Sequence, residues 1–248
     1  MGTDRDWEKW GASDPYFGVC SSGRFHTHSM AAEARADFFS SGEAHVSRTW
    51  DEIEHAFAMR FRADSVLDFG CGVGRLLIPF ARRAKRVVGV DISLSMLKEA
   101  DKNCRAAGAV GVEFVESDDG LRRVDGTFDL VHSHIVLQHI PWRRGRAILA
   151  MLAGRVAPGG FLAVQILSRH EASPIVRGLV RLRYVLPPVN WLRNILRRRP
   201  VFEPAMQLHV YDFETVRTDL EQQGFSSVHL HERFDGFRST SIYARRSA

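Results

Sequence analysis

The sequence predicts an α/β protein with a mostly parallel sheet and helices on both faces. From residue 62 onward, strand-like and helix-like segments alternate along the chain. The strand-like segments are nearly continuous runs of Val, Leu and Ile, as strands buried on both faces of a parallel sheet are. The 248 residues suffice for one such domain with additional segments.

Five strands and three helices are predicted in the first part of this pattern. The strands are Ser65–Phe69, 86–90, Val112–Glu116, 128–131 running on towards His134, and 161–167. The helices are 74–84, 93–107 with Ser93 as N-cap, and 142–156, after which Pro158-Gly159-Gly160 forms a turn. Residues 211–223 are a further helix, and 225–231 and 239–244 are final strands joined by a turn at Asp235-Gly236.

The chain divides into four predicted parts. Residues 1–61 form an N-terminal helical cap on the acceptor side, with an aromatic-rich turn at 14–18 and helices at 30–39 and 43–60. Residues 62–167 form the ligand-binding core, and 168–205 a basic amphipathic insert after the fifth strand. Residues 206–248 complete the core with a helix and two strands.

Positive charge is concentrated in the insert. It carries eight arginines against Glu171 and Glu203, while the net charge of the whole chain is +5. This pattern favours one basic flap over a surface that coats nucleic acid. We predict that the insert is a lid over an anionic or membrane-proximal acceptor, while a helix at a lipid interface and a subunit contact stay open as alternatives.

The remaining composition is that of a globular protein without membrane spans. No apolar run is long enough to cross a bilayer, and the charged N-terminus with two tryptophans is unlike a signal peptide. Cys20, Cys71 and Cys104 are far apart and odd in number, so we expect reduced thiols. These observations predict a cytoplasmic protein.

The strongest motif is a glycine-rich turn after the first predicted strand. It runs from Asp68 through Gly70, Cys71, Gly72 and Gly74 to Arg75. Glycines allow a sharp turn and a close approach of the backbone to a ligand. The dinucleotide fingerprint G-x-G-x-x-G would need a glycine where Arg75 stands, so the spacing argues against a dinucleotide oxidoreductase.

Two acidic positions follow at the ends of the next strands. Asp91 comes 21 residues after Gly70, where a carboxylate can accept both hydroxyl hydrogens of a ribose. Asp118 and Asp119 follow the third strand, where an acid can accept a hydrogen bond from an adenine amine. All three signals lie at the carboxyl ends of consecutive strands, where open α/β sheets bind ligands.

Together these residues resemble class I methyltransferases that use S-adenosylmethionine (SAM). The resemblance covers about residues 62–167 and resumes in the last two strands. It implies a Rossmann-like, seven-stranded sheet with the last strand antiparallel, SAM as cofactor and S-adenosylhomocysteine (SAH) as product. It further implies that Asp91 binds the ribose, that Asp118 is the acid near the adenine and that Ile92 and Met96 flank the adenine. The methionine part would lie over Gly70–Gly74, and the backbone near Ser133 and His134 would approach the sulfonium.

Three histidines lie after the fourth strand, where the active-site mouth is expected. If the acceptor is a hydroxyl, a base should take its proton, and histidine suits that task near neutral pH. Small-molecule O-methyltransferases of this family often carry a histidine in this loop, which favours His139, with His134 second and His132 in a supporting position. We predict no metal site.

The N-terminal pattern at residues 10–11, 14–19 and 38–43 resembles methyltransferases of bacterial polysaccharide and secondary-metabolite pathways. This resemblance implies a small or medium-sized acceptor such as a sugar or natural product, and the basic insert suggests that the acceptor is anionic or lipid-linked. There is no Asn/Asp-Pro-Pro-Tyr/Phe motif, which argues against methylation of adenine or glutamine nitrogen. Two alternatives remain: an RNA methyltransferase that uses the insert, and a SAM-binding protein without catalysis. The sequence does not assign the oligomeric state.

Overall fold

One seven-stranded sheet forms the centre of the computed structural model, which describes residues 2–169, 174–234 and 238–248. The strands are β1 Ser65–Phe69, β2 Arg86–Asp91, β3 Val112–Glu116, β4 Phe128–Ser133, β5 Val156–Arg169, β6 Phe225–Phe234 and β7 Arg238–Arg246. Their order is β3-β2-β1-β4-β5-β7-β6, and only β7 runs antiparallel to its neighbours among these strands. The predicted fold class is confirmed.

Helices cover both faces of the sheet. They are α1 Gly2–Ser13, α2 Pro15–Val19, α3 Ala32–Phe57, α4 Leu77–Ala81, α5 Leu94–Ala106, α6 Trp142–Gly154, α7 Pro174–Val185, α8 Pro187–Leu196 and α9 Phe213–Gln222. Successive strand residues serve opposite faces: Leu67 packs with α6 and α9, whereas Val66 packs with α3, α4 and α5. This alternation gives the sheet a hydrophobic core on each side.

The N-terminal segment differs from the prediction. Residues 2–13 form a helix that the sequence analysis did not anticipate, and the expected turn at 14–18 is the short helix α2, which Pro15 begins. Proline suits this position because the first helical N–H has no partner within the helix. The two helices predicted at 30–39 and 43–60 are one helix, α3.

Gly42, at the expected boundary between the two predicted helices, lies within α3 and does not end a helix. A Cβ at this position would stand 2.4 Å from the carbonyl oxygen of Arg75, so the glycine lets the helix pack directly on the loop before α4. It serves a close approach rather than a helix end. Long-range packing of this kind has no local sequence signature.

Two core elements have different bounds from those predicted. The helix expected at 74–84 begins only at Leu77, because positive φ values at Gly70, Gly72 and Gly74 extend the turn. Strand β5 begins at Val156 and contains the predicted turn 158–160, where Gly159 has a φ of 76°. The predicted turn at Asp235-Gly236 lies outside the described residues.

A third cluster of apolar side chains fixes the N-terminal segment to the core. Its buried members come from α1, α2, α3 and α5 and the intervening loops: Trp10, Tyr16, Phe17, Phe25, Phe38, Val73 and Met96. Arg35 donates to the Tyr16 hydroxyl, which donates to Glu99 of α5. The aromatic side chains therefore hold α1 and α2 against the ends of β1 and β2. Among the described helices, none is long and apolar enough to span a membrane.

Candidate functional site

A cavity lies at the carboxyl ends of β1, β2, β3 and β4. It encloses about 950 Å³ of empty space including its open mouth. Its floor contains Phe69 to Gly72 at the end of β1, Asp91 and Ile92 at the end of β2, Ser117 and Asp119 after β3, and residues 134–136 after β4. The position matches the rule that ligands bind outside the carboxyl ends of strands in open α/β sheets.

The glycine-rich turn lies on the cavity floor in left-handed backbone conformation. Gly70 and Gly72 have φ values of 76° and 54°. A Cβ on Gly70 would stand 2.2 Å from Val136 Cγ2, and one on Gly72 would stand 2.5 Å from Val19 Cγ2. Any other residue would therefore be strained at both positions and would also collide with the cavity wall.

Asp91 is fixed in place by the backbone around it. One oxygen accepts from Gly72 N at 2.8 Å and the other from Ser93 N at 2.9 Å. Burial raises the pKa of this carboxyl to about 6, although the two backbone donors act in the opposite direction. Each oxygen retains a lone pair, so the carboxylate can accept hydrogen bonds from neighbouring hydroxyl groups in the cavity.

Other predicted cofactor residues line the same cavity. These are Cys71, Arg75, Ile92, Met96 and Asp119. Burial raises the pKa of the Cys71 thiol well above its ordinary value, so the group is a neutral wall residue. Arg75 donates to Ser41 Oγ at 3.1 Å, which directs its side chain towards α3.

Four predicted residues lie outside the cavity lining. Asp68 is buried beneath the turn and accepts from His132 Nδ1 at 2.7 Å, while its second oxygen has no hydrogen-bond partner in the described part of the chain. Gly74 packs against Ala100, and the Ser133 hydroxyl donates to the Phe69 carbonyl. Asp118, the acid that the resemblance implies for the adenine, accepts from Arg122 N outside the lining, whereas its neighbour Asp119 lines the cavity.

Helix α1 contributes a wall that the sequence analysis missed. Thr3, Asp4 and Trp7 line the cavity. Arg144 of α6 bridges this wall to β3, because its guanidinium donates to both oxygens of Asp4 and to both oxygens of Asp119. Gly11 permits the contact with α5, since a Cβ there would lie 2.2 Å from Ser93 Oγ.

His139 and His134 both lie at the cavity. His139 Nδ1 lies 2.7 Å from the Gln207 carbonyl oxygen, which can only accept, so Nδ1 carries the hydrogen and Nε2 the lone pair. Burial lowers the pKa of His139 to about 4, with a smaller contribution in the same direction from nearby His209, while the hydrogen bond to Gln207 acts in the opposite direction. Trp7 packs edge-on against the imidazole at 5.0 Å.

His134 belongs to a separate group of histidines. Its ring stacks on His45 of α3 at 3.8 Å between centroids, and His45 Nε2 lies 3.0 Å from His132 Nε2. His132 in turn donates to Asp68. The sequence predicts that His132 and His134 share a face of β4, but it has no signal that brings His45 to them.

A second, smaller cavity adjoins the first. It encloses about 230 Å³ and is lined by Trp7, Trp10 and His139 together with residues 205–207. His139 and Trp7 therefore separate two spaces, one over the glycine-rich turn and one beneath the segment that follows the insert.

Comparison with known proteins relates part of this chain to methyltransferases. Residues 66–160 match a family described as "Methyltransferase domain". A trans-aconitate 2-methyltransferase of Deinococcus radiodurans is 34% identical over 108 residues, which cover 43% of this chain and 39% of that protein. A ubiquinone biosynthesis O-methyltransferase of Bradyrhizobium sp. is 33% identical over 163 residues, covering 64% of this chain and 60% of the relative.

The fold is shared with solved methyltransferases. Magnesium protoporphyrin IX methyltransferase from Synechocystis PCC 6803, solved with bound SAM, superposes with a TM-score of 0.64 at 19% identity. The match covers 100% of this chain and 98% of that one. The matches to curated relatives are shorter and span less than two thirds of the length of each relative described above.

Proposed function

Because residues 66–160 belong to the methyltransferase-domain family and the chain has the class I fold, we propose that this protein is a SAM-dependent methyltransferase acting on a small-molecule hydroxyl. One observation carries the proposal: the glycine-rich turn, the fixed Asp91 carboxylate and the His139 imidazole line a single cavity. A bound cofactor and a proton acceptor would thereby meet in one place.

The residues of the cavity fit SAM. Asp91 would accept the ribose hydroxyls, and the side-chain-free backbone at Gly70 and Gly72 would lie against the methionine part. Ile92 and Met96 offer apolar surface for the adenine. Bound SAM would supply a methyl group already activated by its sulfonium, so the protein has mainly to align the acceptor and exclude water.

Asp119 has a role besides that of an adenine contact. Its carboxylate is held by Arg144, which also holds Asp4 of α1. Asp119, in place of the predicted Asp118, would therefore both contact the adenine amine and hold α1 over the cavity. A helix held across the mouth in this way would help to exclude water from the reacting atoms.

His139 would take the proton of the acceptor hydroxyl through Nε2. The Gln207 carbonyl fixes the tautomer that this role requires, and burial keeps the ring neutral at physiological pH because it lowers the pKa. The low pKa weakens the base, but methyl transfer from a sulfonium needs the proton removed only as the new bond forms. His134 is the second candidate, because it lines the same cavity.

The choice of a hydroxyl acceptor is supported by the names of several relatives. Ubiquinone biosynthesis O-methyltransferases recur among them. The apolar lining formed by Trp7, Val136, Ile140 and Ile148 would suit an acceptor with a nonpolar part.

Calorimetric titration with SAM and SAH tests the cofactor assignment. We expect binding to the wild-type protein and binding weaker by about tenfold or more to Asp91→Asn, as loss of a charge-assisted hydrogen bond would give. Asp101→Asn on the exposed face of α5 is the matched control.

SAH release from a panel of hydroxyl, amine and carboxylate acceptors then tests the reaction. Binding of SAM without turnover of any acceptor would favour a non-catalytic SAM-binding protein, and turnover of RNA alone would replace the small-molecule acceptor.

A further inference from the structure

Helix α8 has its polar side chains inside and its apolar side chains outside. Asn190 and Asn194 are buried, and their amides donate to the carbonyl oxygens of Glu203 and Val201. On the opposite side, Leu192 is 59% exposed and Leu196 is 76% exposed. This reverses the usual arrangement of a helix on a water-soluble protein.

The apolar surface continues beyond α8 and forms what we call the insert face. Its members are large apolar side chains that are exposed: Val176, Leu179, Leu182, Val185, Leu186, Trp191, Leu192, Ile195, Leu196, Val201 and Phe202. Eleven of the fifteen large exposed hydrophobic residues in the described chain lie in this short segment, so they form a patch and are not scattered surface residues.

Positive charge surrounds this patch. Residues 174–202 contain seven arginines and no acidic residue. Arg181, Arg197 and Arg198 are exposed beside the apolar side chains, and Arg199 pairs with Glu203. An apolar face bordered by arginine matches the chemistry of a bilayer surface, in which acyl chains lie beneath anionic headgroups.

We propose that the insert face binds the surface of a bilayer that contains anionic phospholipid. A second copy of the chain fits less well, because a symmetric contact would bring arginine against arginine with no acid in 174–202 to compensate. Nucleic acid would pair with the arginines but would leave the aliphatic side chains exposed to water. None of the insert-face residues lines either cavity at His139, so the face is not simply the inner wall of a lid.

The insert is connected to the site by a short segment. Tyr184 of α7 donates to the Met206 carbonyl, and Gln207 accepts from His139. His209 N donates to the carbonyl oxygen of the residue before His139 at 2.7 Å. Binding of the insert face to a bilayer would therefore place His139 and the smaller cavity close to the membrane surface. Docking itself stands apart from the proposed methyl transfer and requires neither cofactor nor acceptor.

Co-sedimentation with vesicles tests the proposal. We expect the full chain to bind vesicles of equimolar phosphatidylcholine and phosphatidylglycerol, to bind phosphatidylcholine vesicles much more weakly, and to dissociate as salt rises. Arg181→Gln with Arg197→Gln should weaken binding roughly 30-fold, or about fivefold for each arginine. Arg60→Gln with Arg62→Gln, both exposed and outside the insert, should leave it unchanged.

The apolar contribution is tested in parallel. Leu192→Ser with Ile195→Ser should weaken binding by at least about tenfold, whereas Val110→Ser with Met151→Ser, exposed elsewhere, should not. Thermal melting confirms that each variant is folded. Equal vesicle binding by wild type and both insert variants would overturn the proposal. So would a lipid-free dimer that the Leu192 and Ile195 substitutions dissociate, or RNA binding that displaces the vesicles.

Discussion

His139 Nδ1 donates a hydrogen bond to the backbone carbonyl of Gln207 at 2.7 Å, across 68 positions of the sequence. This bond links the loop after β4 to the segment that follows the insert. It leaves the lone pair on Nε2, which the Gln138 amide nitrogen faces at 3.4 Å and which an acceptor hydroxyl would have to reach in its place. The orientation of the His139 ring therefore depends on Gln207, which lies just after the insert.

Replacing His139 tests the assignment of the base. We expect His139→Ala to lower kcat by about 10² to 10⁴, the usual range for loss of a general base, while the affinity for SAM changes little. Steady-state kinetics and calorimetric titration measure the two effects separately. His28→Ala, on an exposed part of the N-terminal segment, is the control. Full turnover by His139→Ala would remove this residue as the base.

The pH profile of turnover distinguishes His139 from a histidine with ordinary acidity. Burial lowers the pKa of His139 to about 4, so the ring is neutral throughout the physiological range. At saturating SAM, so that titration of Asp91 in the cofactor-free protein does not contribute, we expect kcat/KM for the acceptor to show no imidazole limb between about pH 5.5 and 8 and to fall only as the pH approaches about 4. An acid limb near about 6.5, the ordinary imidazole value, would contradict the assignment and direct attention to His134.

Asp91 should make stability depend on pH. Its pKa in the folded protein is raised from 3.8 to about 6, so the folded state holds this proton more tightly than the unfolded chain. Raising the pH from 3.8 through about 6 should therefore lower the free energy of unfolding of the wild type by about 3 kcal/mol relative to a variant without the carboxyl. Denaturation of wild type and Asp91→Asn at a series of pH values across that window measures the difference. If the free energy of unfolding changed equally with pH in the two proteins, the Asp91 carboxyl would not be desolvated in the folded state.

Gly72 should tolerate no side chain. Gly72→Ala places a Cβ 2.5 Å from Val19 Cγ2 at a φ of 54°. We expect a loss of about 3 kcal/mol in the free energy of unfolding. Val19→Ala should recover the part due to the collision. Gly108→Ala, with a φ of 65° and no atom within 4 Å, measures the conformational strain alone. An equal loss of stability in Gly72→Ala and Gly108→Ala would show that the contact with Val19 contributes nothing to the loss.

Arg144 should hold α1 over the cavity. Arg144→Gln breaks the bridge between Asp4 and Asp119, and we expect faster hydrogen exchange in residues 2–13 and faster dissociation of SAM. Arg146→Gln is a matched control, because Arg146 on the same helix also makes a two-bonded pair, with Asp219 outside the cavity lining. Identical exchange in the two variants would show that the bridge does not close the site.

The core of the fold could be predicted because its signals are local. The apolar run Ser65–Phe69, the N-cap Ser93 and the Gly70–Gly74 turn each act within a few residues, and the structure confirms the strand, the cap and the turn. Element boundaries were less accurate where glycines lie next to a helix or strand. The helix that begins at Leu77 is shorter than its apolar pattern indicates.

The walls of the site could not be predicted in the same way. The contact of Arg144 with Asp4 spans 140 positions, and that of His45 with His132 spans 87. Neither pair produces a periodic pattern, so only the folded chain brings the residues together. Helix α1 was missed because charged residues interrupt its apolar side chains, and its apolar side becomes evident only where Trp7 and Trp10 meet the cavity and the aromatic cluster.

A crystal structure with bound SAH would show whether this cavity is the cofactor site. We expect both ribose hydroxyls of SAH to donate to Asp91, the homocysteine part to lie over Gly70 and Gly72, and the sulfur to face the space beside His134 and His139. A cavity that remains empty at saturating SAH, or a ligand whose ribose lies away from Asp91, would contradict this assignment.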